Sequence, residues 1–447
     1  MKQFFTWVIA LCFLLVNGVS AQDLASVNPS GQRVVYWHGL AGRQVDLLNQ
    51  FVEEFNATNE WGITVEAIAQ PDLRAQMSTA ILSGDLPNIV GGFQNDAKNY
   101  FLDGAAIDLL PYFNDPMWGF TAEEQADFNP NIIRANIFEE APYNGAMLLF
   151  TNSFSGAVMS VNLDMLAEVG FDSAPETFQQ FRDIACATKD LIGPNGEDIQ
   201  GFAMNLDPNN FESFVASNGG NIFDPETDRY VFTSPEVLEM FQLMQDMYNE
   251  GCLYIPATFF GNTDDFAFGL TPMAVGSVVG VPFILNNIEQ SGSGVDNWIM
   301  TSTPWSGDNR TMQLYSGGLI IIPSTPEQQL ASWLFIKHLA STENQIRWSE
   351  STFFFPSRIS AAEGISQDFY DAHPYYSHAV NLIFSGDVNI YRSPQNASYG
   401  VVRDLLATAI SDVTVGRRDV AEVAAALEAE ANRVHQESLT RQAEAGS

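Results

Sequence analysis

Polar and aromatic side chains stand where two predicted strands of this chain end. The apolar strand 34–37 leads into Trp37 and His38, and the strand 89–92 leads into Gln94. The flat amide of Gln94 offers a donor and an acceptor suited to neighbouring hydroxyl groups, and an indole ring can stack on the apolar face of a sugar. This chemistry is non-covalent binding of a hydroxyl-rich molecule. Core packing is the alternative for Trp37, and capping of a helix is the alternative for Gln94.

A second group of short polar side chains follows the predicted strand 201–204. Asn205, Asp207 and Asn209 could hydrogen-bond sugar hydroxyls, but the same run is also a strong turn and helix-cap sequence. Arg392 stands in an irregular segment of a chain that is poor in cations, so it is a candidate partner for an anionic or polyhydroxylated ligand. A salt bridge to one of the many acidic residues is the alternative for Arg392.

The chain lacks the short motifs that fix catalytic groups together. It has no G-x-S-x-G elbow, no H-E-x-x-H, no phosphate-binding P-loop and no Rossmann glycine fingerprint. Its five histidines are dispersed, and no Cys or His cluster has the spacing of a zinc site. We therefore expect no catalytic residues, no metal and no cofactor. A secreted carbohydrate-active hydrolase with paired carboxylates is the alternative from another class.

Acidic residues dominate the charge balance. The chain has 54 acidic and 19 basic residues, and Lys98, Lys189 and Lys337 are the only lysines after residue 21. A surface this negative is a poor partner for nucleic acid or for anionic membranes. The acids are scattered along the chain, which favours a role in solubility over a cation-binding site.

The N-terminus predicts export. Lys2 precedes the apolar run 4–16, and residues 19–21 have the small-x-small form of a cleavage site, so we expect a signal peptide at 1–21. The run is shorter than the roughly 20 residues needed by a transmembrane anchor, which is the alternative. Cys12 lies inside the apolar run, not after the cleavage site. We therefore expect a soluble periplasmic or extracellular protein that is not a lipoprotein.

Two cysteines remain after that cleavage. Cys186 lies on the helix predicted to begin near residue 177, and Cys252 follows the predicted helix 235–250. An even pair in an exported protein permits one disulfide, which would close a loop of 66 residues (252 minus 186). Two unpaired buried thiols are the alternative.

Strands and helices alternate along the chain. The strands 34–37, 63–68 and 89–92 are separated by helices whose apolar residues recur at helical spacing, as Phe51 and Phe55 do. This order predicts an open, mainly parallel sheet flanked by helices. Because open sheets bind ligands outside the carboxyl ends of their strands, the loops after the strands are the expected site.

The segment 152–178 combines four local signals in a fixed order. An apolar strand ends at Asn162, which can cap a helix, Gly170 ends that helix, and Thr177 begins another before Phe178. This order resembles a segment of the extracellular solute-binding proteins that feed ABC importers. Further segments resemble the same family in the same order: 84–88, 268–276, 302–305, 316–323 and 352–358.

The resemblance implies a fold and a mode of action. It implies an α/β, type II-like periplasmic-binding-protein fold, in which two lobes each have an open, mainly parallel sheet flanked by helices, with the ligand cleft between them. We expect lobe 1 at 33–148 plus about 298–345, and lobe 2 at about 149–297 plus 346–447. A monomer would capture a sugar, an oligosaccharide or a glycerophosphate-like molecule by lobe closure. Its partners would be the permease subunits of an ABC importer, and nucleic acid is not expected.

The expected ligand-binding residues lie at the strand ends and in the matching loops. They are Trp37, His38, Gln94, Ser153, Ser155, Asn205, Asp207, Asn209, Ser277, Trp305, Gly317, Gly318, Phe354 and Arg392. Five of these positions, Gln94, Ser155, Gly317, Phe354 and Arg392, resemble the binding positions of glycerol-3-phosphate and glycerophosphodiester binders. This chain has Gln94 where those proteins carry an acidic residue and Phe354 where they carry a tyrosine. A glycerophosphate ligand is therefore the alternative to another sugar or polyol.

Overall fold

The computed structural model describes residues 24–193 and 196–445 of the chain. The expected signal peptide, 1–21, lies outside the described residues. Within those two ranges, no helix combines the length and the apolar character needed to cross a membrane.

Strands and helices alternate through most of the chain, as the sequence predicts. The strands are β1 (Arg33–His38), β2 (Thr64–Ala69), β3 (Ile89–Phe93), β4 (Ile137–Phe138), β5 (Ala146–Met147), β6 (Ser153–Asn162), β7 (Phe202–Ala203), β8 (Phe223–Asp224), β9 (Arg229–Tyr230), β10 (Leu253–Tyr254), β11 (Met273–Ser277), β12 (Trp298–Thr301), β13 (Thr311–Tyr315), β14 (Gly317–Ile321), β15 (Phe355–Pro356) and β16 (Asn389–Tyr391). The helices are α1 (Arg43–Thr58), α2 (Leu73–Ser83), α3 (Gln94–Leu102), α4 (Leu110–Phe113), α5 (Ala122–Asp127), α6 (Pro130–Ala135), α7 (Leu163–Glu168), α8 (Phe178–Thr188), α9 (Pro208–Ser217), α10 (Pro235–Asn249), α11 (Gly261–Ala267), α12 (Val281–Ser291), α13 (Pro326–Leu339), α14 (Thr342–Thr352), α15 (Ile359–Gly364), α16 (Gln367–Ala372), α17 (Pro374–Phe384), α18 (Tyr399–Val413) and α19 (Val420–Ala445).

The first lobe is built on a four-stranded sheet with the order β14-β3-β1-β2. Strand β1 runs parallel to β2 and β3, while β14 runs antiparallel to β3. Val34, Tyr36 and His38 alternate on the more buried face of β1, and α1 packs Leu48 and Phe51 into the same core as Val34 and Tyr36. The period of two along a strand therefore decides which side chains of β1 share a face.

The second lobe contains a larger, mixed sheet. Its order is β10-β7-β11-β6-β13-β16, and β12 and β15 also pair with β6. Strand β7 runs parallel to β10 and β11, and β13 runs parallel to β16. Strand β6 runs antiparallel to all four of its partners. This sheet is therefore less parallel than expected, because one long strand passes through it against the direction of its neighbours.

The lobe boundaries differ from those expected near residues 298 and 346. Strands β12 and β13, residues 298–315, pair with β6 in the second sheet, and the chain enters the first sheet only at Gly317. Helix α14 packs on α1 of the first lobe, so the chain returns to the second lobe after Thr352. The proline after β12 ends a strand without ending the lobe, because the hydrogen-bonding edge of β6 continues beyond it and pairs with β13.

The segment 152–178 has the local structure that its sequence predicts. The Asn162 side chain ends β6 and accepts two hydrogen bonds, both 3.1 Å, from N–H groups in the first turn of α7. Gly170 follows α7 with a φ of +85°, a left-handed value that favours glycine. Thr177 caps α8. These three positions confirm the predicted cap, stop and restart.

Cys186 and Cys252 form a disulfide within the second lobe. Cys186 lies in α8, and Cys252 lies directly before β10, with 66 residues of sequence separation. The link therefore joins a helix to the edge of the second sheet. A crosslink that closes a loop of this length stabilises a protein mainly by restricting its unfolded chain.

The three lysines in the described part of the chain all bind the main chain. The ammonium groups of Lys98, Lys189 and Lys337 each donate to a backbone carbonyl, over 2.8, 2.7 and 2.6 Å respectively. Lys98 lies on α3 of the first lobe, and its acceptor, Gln395, follows β16 of the second. This bond therefore spans the two lobes.

Glu212 is fully buried in the second lobe. Its carboxylate accepts hydrogen bonds from the hydroxyl of Tyr399 at 2.5 Å and from that of Tyr391 at 3.4 Å, and the charges of Arg403 and Asp207 act on it. Burial raises the pKa of Glu212 from its ordinary 4.5 to about 7, although hydrogen bonds from Tyr399 and Ser393 and the charge of Arg403 act in the opposite direction.

Replacing this carboxyl group should stabilise the protein at neutral and higher pH. Because the folded-state pKa of Glu212 lies above the unfolded value, stability falls as the pH rises from 4.5 to about 7. Glu212→Gln has no proton to lose, so its free energy of unfolding should exceed that of the wild type by up to roughly 3 kcal/mol at about pH 8, and by much less at about pH 4.

Urea unfolding at the two pH values measures this difference. Glu363→Gln, at an exposed position, is the matched control. An equal effect of Glu212→Gln at both pH values would contradict the assignment.

Candidate functional site

A cavity of about 610 Å³ opens between the two lobes. Its wall includes the ends of β1 and β3 in the first lobe, the end of β11 in the second, and the crossing segments around 152–155 and 315–319. Strands β1 and β3 are parallel neighbours, and their carboxyl ends are the places where loops of an open sheet gather. The cavity therefore lies where the strand order places the expected site.

Seven of the expected residues line this cavity. The hydroxyls of Ser155 on β6 and Ser277 on the neighbouring β11 lie 2.6 Å apart and form a polar contact on the wall. The seven residues come from the first lobe, from both crossings and from the second lobe, and they surround one space. The seven are His38, Ser153, Ser155, Ser277, Gly317, Gly318 and Phe354.

Gly317 and Gly318 let the main chain of β14 form part of the wall. They pair with Phe93 and Gly92 of β3. A Cβ on Gly318 would lie 2.9 Å from the carbonyl oxygen of Phe150. Only glycine fits this close approach of two backbones without a shift.

His38 lines the cavity as a neutral ring. Its Nδ1 accepts a hydrogen bond from the Leu40 N–H at 3.3 Å, so Nε2 carries the proton of the neutral imidazole. Burial lowers the pKa of His38 below its ordinary 6.5. The ring is therefore uncharged at neutral pH and offers one N–H donor.

An ion pair that was not predicted from the sequence also lines the cavity. The Arg74 Nε donates to Asp96 Oδ1 at 2.8 Å, and Nη2 lies 3.3 Å from Oδ2. Asp96 is buried and also accepts the backbone N–H of Phe93 at 3.0 Å, whereas the Arg74 side chain is 68% exposed. The carboxylate of Asp72 caps α2 beside this pair. The wall thus carries two carboxylates and one guanidinium.

Gln94 and Trp37 do not line the cavity. Gln94 begins α3, and its buried amide donates to the hydroxyl of Ser316 at the crossing. Trp37 packs against apolar residues of the first lobe, whereas its neighbour His38 reaches the wall, because successive side chains of a strand point to opposite faces. The core alternative therefore describes Trp37, and Gln94 is committed to a bond within the protein.

The polar cluster after β7 serves the second lobe. Asp207 caps α9 and pairs with Arg403 at 2.8 Å. Asn205 is buried and accepts a hydrogen bond from the Asn210 amide at 2.5 Å, while Asn209 accepts one from a side chain of β13 at 3.3 Å. None of these three expected residues lines the described cavity. The turn and cap alternative describes Asp207, because its carboxylate meets the first turn of α9.

Arg392 and Trp305 also lie outside the cavity wall. The Arg392 Nη1 donates to the carbonyl of Ala135 at 3.1 Å. The ring of Trp305 carries the guanidinium of Arg310 above it, 4.4 Å from the ring centroid. The arginine that lines the cavity is instead Arg74, near the start of α2.

The wall also contains residues that were absent from the expected set, among them Tyr36, Arg74, Asp96, Tyr315 and Trp348. Tyr36 shares the face of His38, so a period-two count along β1 would have found it. Arg74 and Asp96 lie in the first turns of the helices that follow β2 and β3. A search of first helical turns after parallel strands would have included both.

Comparison with known proteins identifies similar chains. Residues 50–375 match the family described as bacterial extracellular solute-binding protein. The sn-glycerol-3-phosphate-binding periplasmic protein UgpB of Brucella abortus (strain 2308) is 22% identical over 431 residues, covering 91% of this chain and 93% of the relative.

Several solved structures share the fold at low sequence identity. The sugar-binding protein MalE of Xanthomonas citri has a TM-score of 0.75 at 16% identity, covering 91% of this chain and 98% of that one. The cyclic alpha-maltosyl-1,6-maltose binding protein of Arthrobacter globiformis has a TM-score of 0.74 at 18% identity, covering 91% and 99%. UgpB of Mycobacterium tuberculosis, in complex with glycerophosphocholine, has a TM-score of 0.72 at 17% identity, covering 92% and 100%.

The two members of the cavity ion pair should differ in their effect on stability. Asp96→Ala removes a buried carboxylate and leaves the part-buried N–H of Phe93 without its acceptor, so the free energy of unfolding should fall by about 1–3 kcal/mol. Arg74→Ala removes an exposed guanidinium and should cost less than about 1 kcal/mol. Urea unfolding of both variants measures the difference. Equal losses would mean that Arg74, like Asp96, is needed for the fold.

Proposed function

Because the chain belongs to the bacterial extracellular solute-binding protein family, we propose that it captures a neutral carbohydrate or related polyol and delivers it to the permease subunits of an ABC importer. The ligand occupies the cavity between the lobes. The signal peptide exports the protein to the periplasm or the cell exterior, where it acts as a soluble monomer without a lipid anchor.

The charge of the cavity wall is the observation that favours a neutral ligand. Arg74 is already paired with Asp96, and Asp72 adds a second carboxylate to the wall. The whole chain has a formal net charge of −35. A phosphate entering this cavity would meet an excess of negative charge and would compete with Asp96 for the guanidinium. Sugar hydroxyls, in contrast, can donate to the carboxylates and accept from Arg74.

Uncharged groups complete a surface suited to a sugar ring. Phe93 is 53% exposed and lines the cavity, so its ring offers an apolar face for stacking. Ser153 supplies a hydroxyl from the crossing, and the neutral ring of His38 adds no charge to the wall. These groups bind without carrying net charge, which matches the neutral ligand inferred from the ion pair.

Closure follows from a ligand that contacts both lobes. His38 and Arg74 belong to the first lobe, and Ser277 and Tyr315 belong to the second. A ligand held by both sets stabilises the closed arrangement by its excess affinity for that arrangement. The permease then recognises the closed form, and no covalent step is required.

Glycerol 3-phosphate or a glycerophosphodiester is the second candidate ligand. The Brucella relatives carry glycerol 3-phosphate in their names, and the similar Mycobacterium tuberculosis structure holds glycerophosphocholine. In this chain Arg74 is the cavity residue that would contact a phosphate. That contact would require Asp96 to share its partner.

A ligand screen should separate the two candidates. Neutral mono-, di- and trisaccharides should include a compound that raises the melting temperature, because a ligand that binds only the folded state stabilises it. Glycerol 3-phosphate and glycerophosphocholine at equal concentration should give no shift. Thermal-shift assays followed by calorimetric titration measure both classes. Tighter binding of either glycerophosphate than of every saccharide would reverse the assignment, and release of product from a saccharide would restore the hydrolase alternative.

Arg74→Gln should weaken binding of the saccharide found in that screen by about tenfold or more, since hydrogen bonds to a charged group contribute roughly 1.5–3 kcal/mol. Arg33→Gln is the matched control, because Arg33 pairs with Glu66 at an exposed position outside the cavity. Calorimetric titration of both variants gives the comparison. Equal affinity in the two variants would remove Arg74 from the binding site.

A further inference from the structure

One lysine contact joins the two lobes beside a crossing of the chain. Lys98 lies on α3 of the first lobe, and its ammonium group donates to the carbonyl oxygen of Gln395, in the second lobe, over 2.8 Å. One helical turn earlier, the amide of Gln94 donates to the hydroxyl of Ser316, which lies between β13 and β14. Because residues four apart share a face of a helix, one face of α3 meets both the crossing and the second lobe.

The first lobe fixes the position of the donor. The Glu140 carboxylate accepts a hydrogen bond from the Lys98 ammonium group at 2.6 Å, and the ring centroids of Tyr143 and Phe138 lie 4.9 and 5.5 Å from that group. Both rings belong to the same hydrophobic cluster as Val90 of β3. The Lys98 side chain is only 12% exposed, so its charge needs these partners in place of water.

The second lobe fixes the position of the acceptor. The side-chain amide of Gln395 donates to the carbonyl of Ser393 at 2.8 Å, and the hydroxyl of Ser393 accepts a hydrogen bond from Gln313 at 2.6 Å. Gln313 lies on β13, which pairs with β6 in the second sheet. The bond from Lys98 therefore joins two groups that are each anchored to their own lobe.

Glu140 attracts a cation from each lobe. Burial acts to raise its pKa, but the hydrogen bond from Lys98 and the charges of Lys98 and Arg392 hold the pKa below its ordinary 4.5. Lys98 belongs to the first lobe, and Arg392 follows β16 in the second. The whole chain has only 19 basic residues, and two of them act on this one carboxylate between the lobes.

We propose that Lys98 is a positioning residue that holds the two lobes together around the cavity, and that it raises the affinity for the ligand without touching it. This inference rests on the proposed function. Lys98 does not line the cavity. Its bond to Gln395 exists in the arrangement in which both lobes form the cavity wall, so loss of the bond lets the lobes separate more often. Apparent affinity falls with the population of the binding-competent arrangement.

Lys98→Met tests this role, because methionine keeps an apolar stem beside the rings and removes both the charge and the donor. The saccharide found in the ligand screen should bind this variant about threefold to tenfold more weakly than the wild type, as expected for one lost hydrogen bond. Lys337→Met is the matched control. Lys337 donates to the carbonyl of Gly119 at 2.6 Å and lies 5.2 Å from the ring centroid of Phe120, and these contacts stay within the first lobe.

Calorimetric titration gives the affinities of both variants. Lys337→Met should bind the saccharide as the wild type does. If Lys98→Met binds as tightly as this control, or more tightly than the wild type, the inference is overturned while the proposed function stays in place. If Lys98→Met shows no cooperative melt, Lys98→Gln, which is also uncharged and is shorter, takes its place.

Small-angle X-ray scattering of the ligand-free protein separates failure of this inference from failure of the proposed function. Because the lobes separate more often without the bond, Lys98→Met should have a larger radius of gyration than the wild type and Lys337→Met. If no saccharide binds the wild type, the carbohydrate proposal fails, and the scattering comparison alone decides whether Lys98 holds the lobes together. Equal radii in all three proteins overturn the inference in that case.

Discussion

Strand β6 has to satisfy main-chain hydrogen bonds along two edges while it is buried almost throughout its length. Residues 157–161 pair with β11, and residues 159–162 also pair with β12, so this stretch is enclosed on both sides. Toward its start, β6 pairs with β13 and β15. A Cβ on Gly156 would lie 2.5 Å from the sulfur of Met312, which shows how tightly the partners close. The strand begins at the cavity and ends at a helix cap, so one element fixes the position of the cleft relative to the second lobe.

Roles that depend on neighbours in the sequence could be predicted from the sequence. Asn162, Gly170 and Thr177 act on the main chain within a few residues, so their types are enough to identify a cap, a stop and a restart. The face of a strand was harder to assign. Trp37 and His38 are adjacent, and only His38 lines the cavity, because a shift of one residue exchanges the two faces of a strand.

Roles that depend on distant partners could not be predicted. Arg74 and Asp96 are separated by 22 residues and meet because the loops after β2 and β3 come together beside β1. The Asp207 side chain is of a type that can bind sugar hydroxyls, yet it pairs with Arg403, which lies 196 residues further along the chain. A polar side chain in such a fold is free for a ligand only if it is not already paired with a residue that is distant in the sequence. The sequence identifies candidate polar residues, but it does not show which of them pair within the protein and which remain free to bind a ligand.

The lysines of this chain bear on how the protein can be handled at a surface. In the described residues, every lysine ammonium holds a backbone carbonyl, and the one on Lys98 joins the two lobes through Gln395. Acylating reagents, including those that fix proteins to biosensor chips through amines, must therefore break a structural contact at each described lysine they modify. At Lys98 they would remove a hydrogen bond between the two lobes. Immobilisation through a terminal tag keeps that hydrogen bond intact.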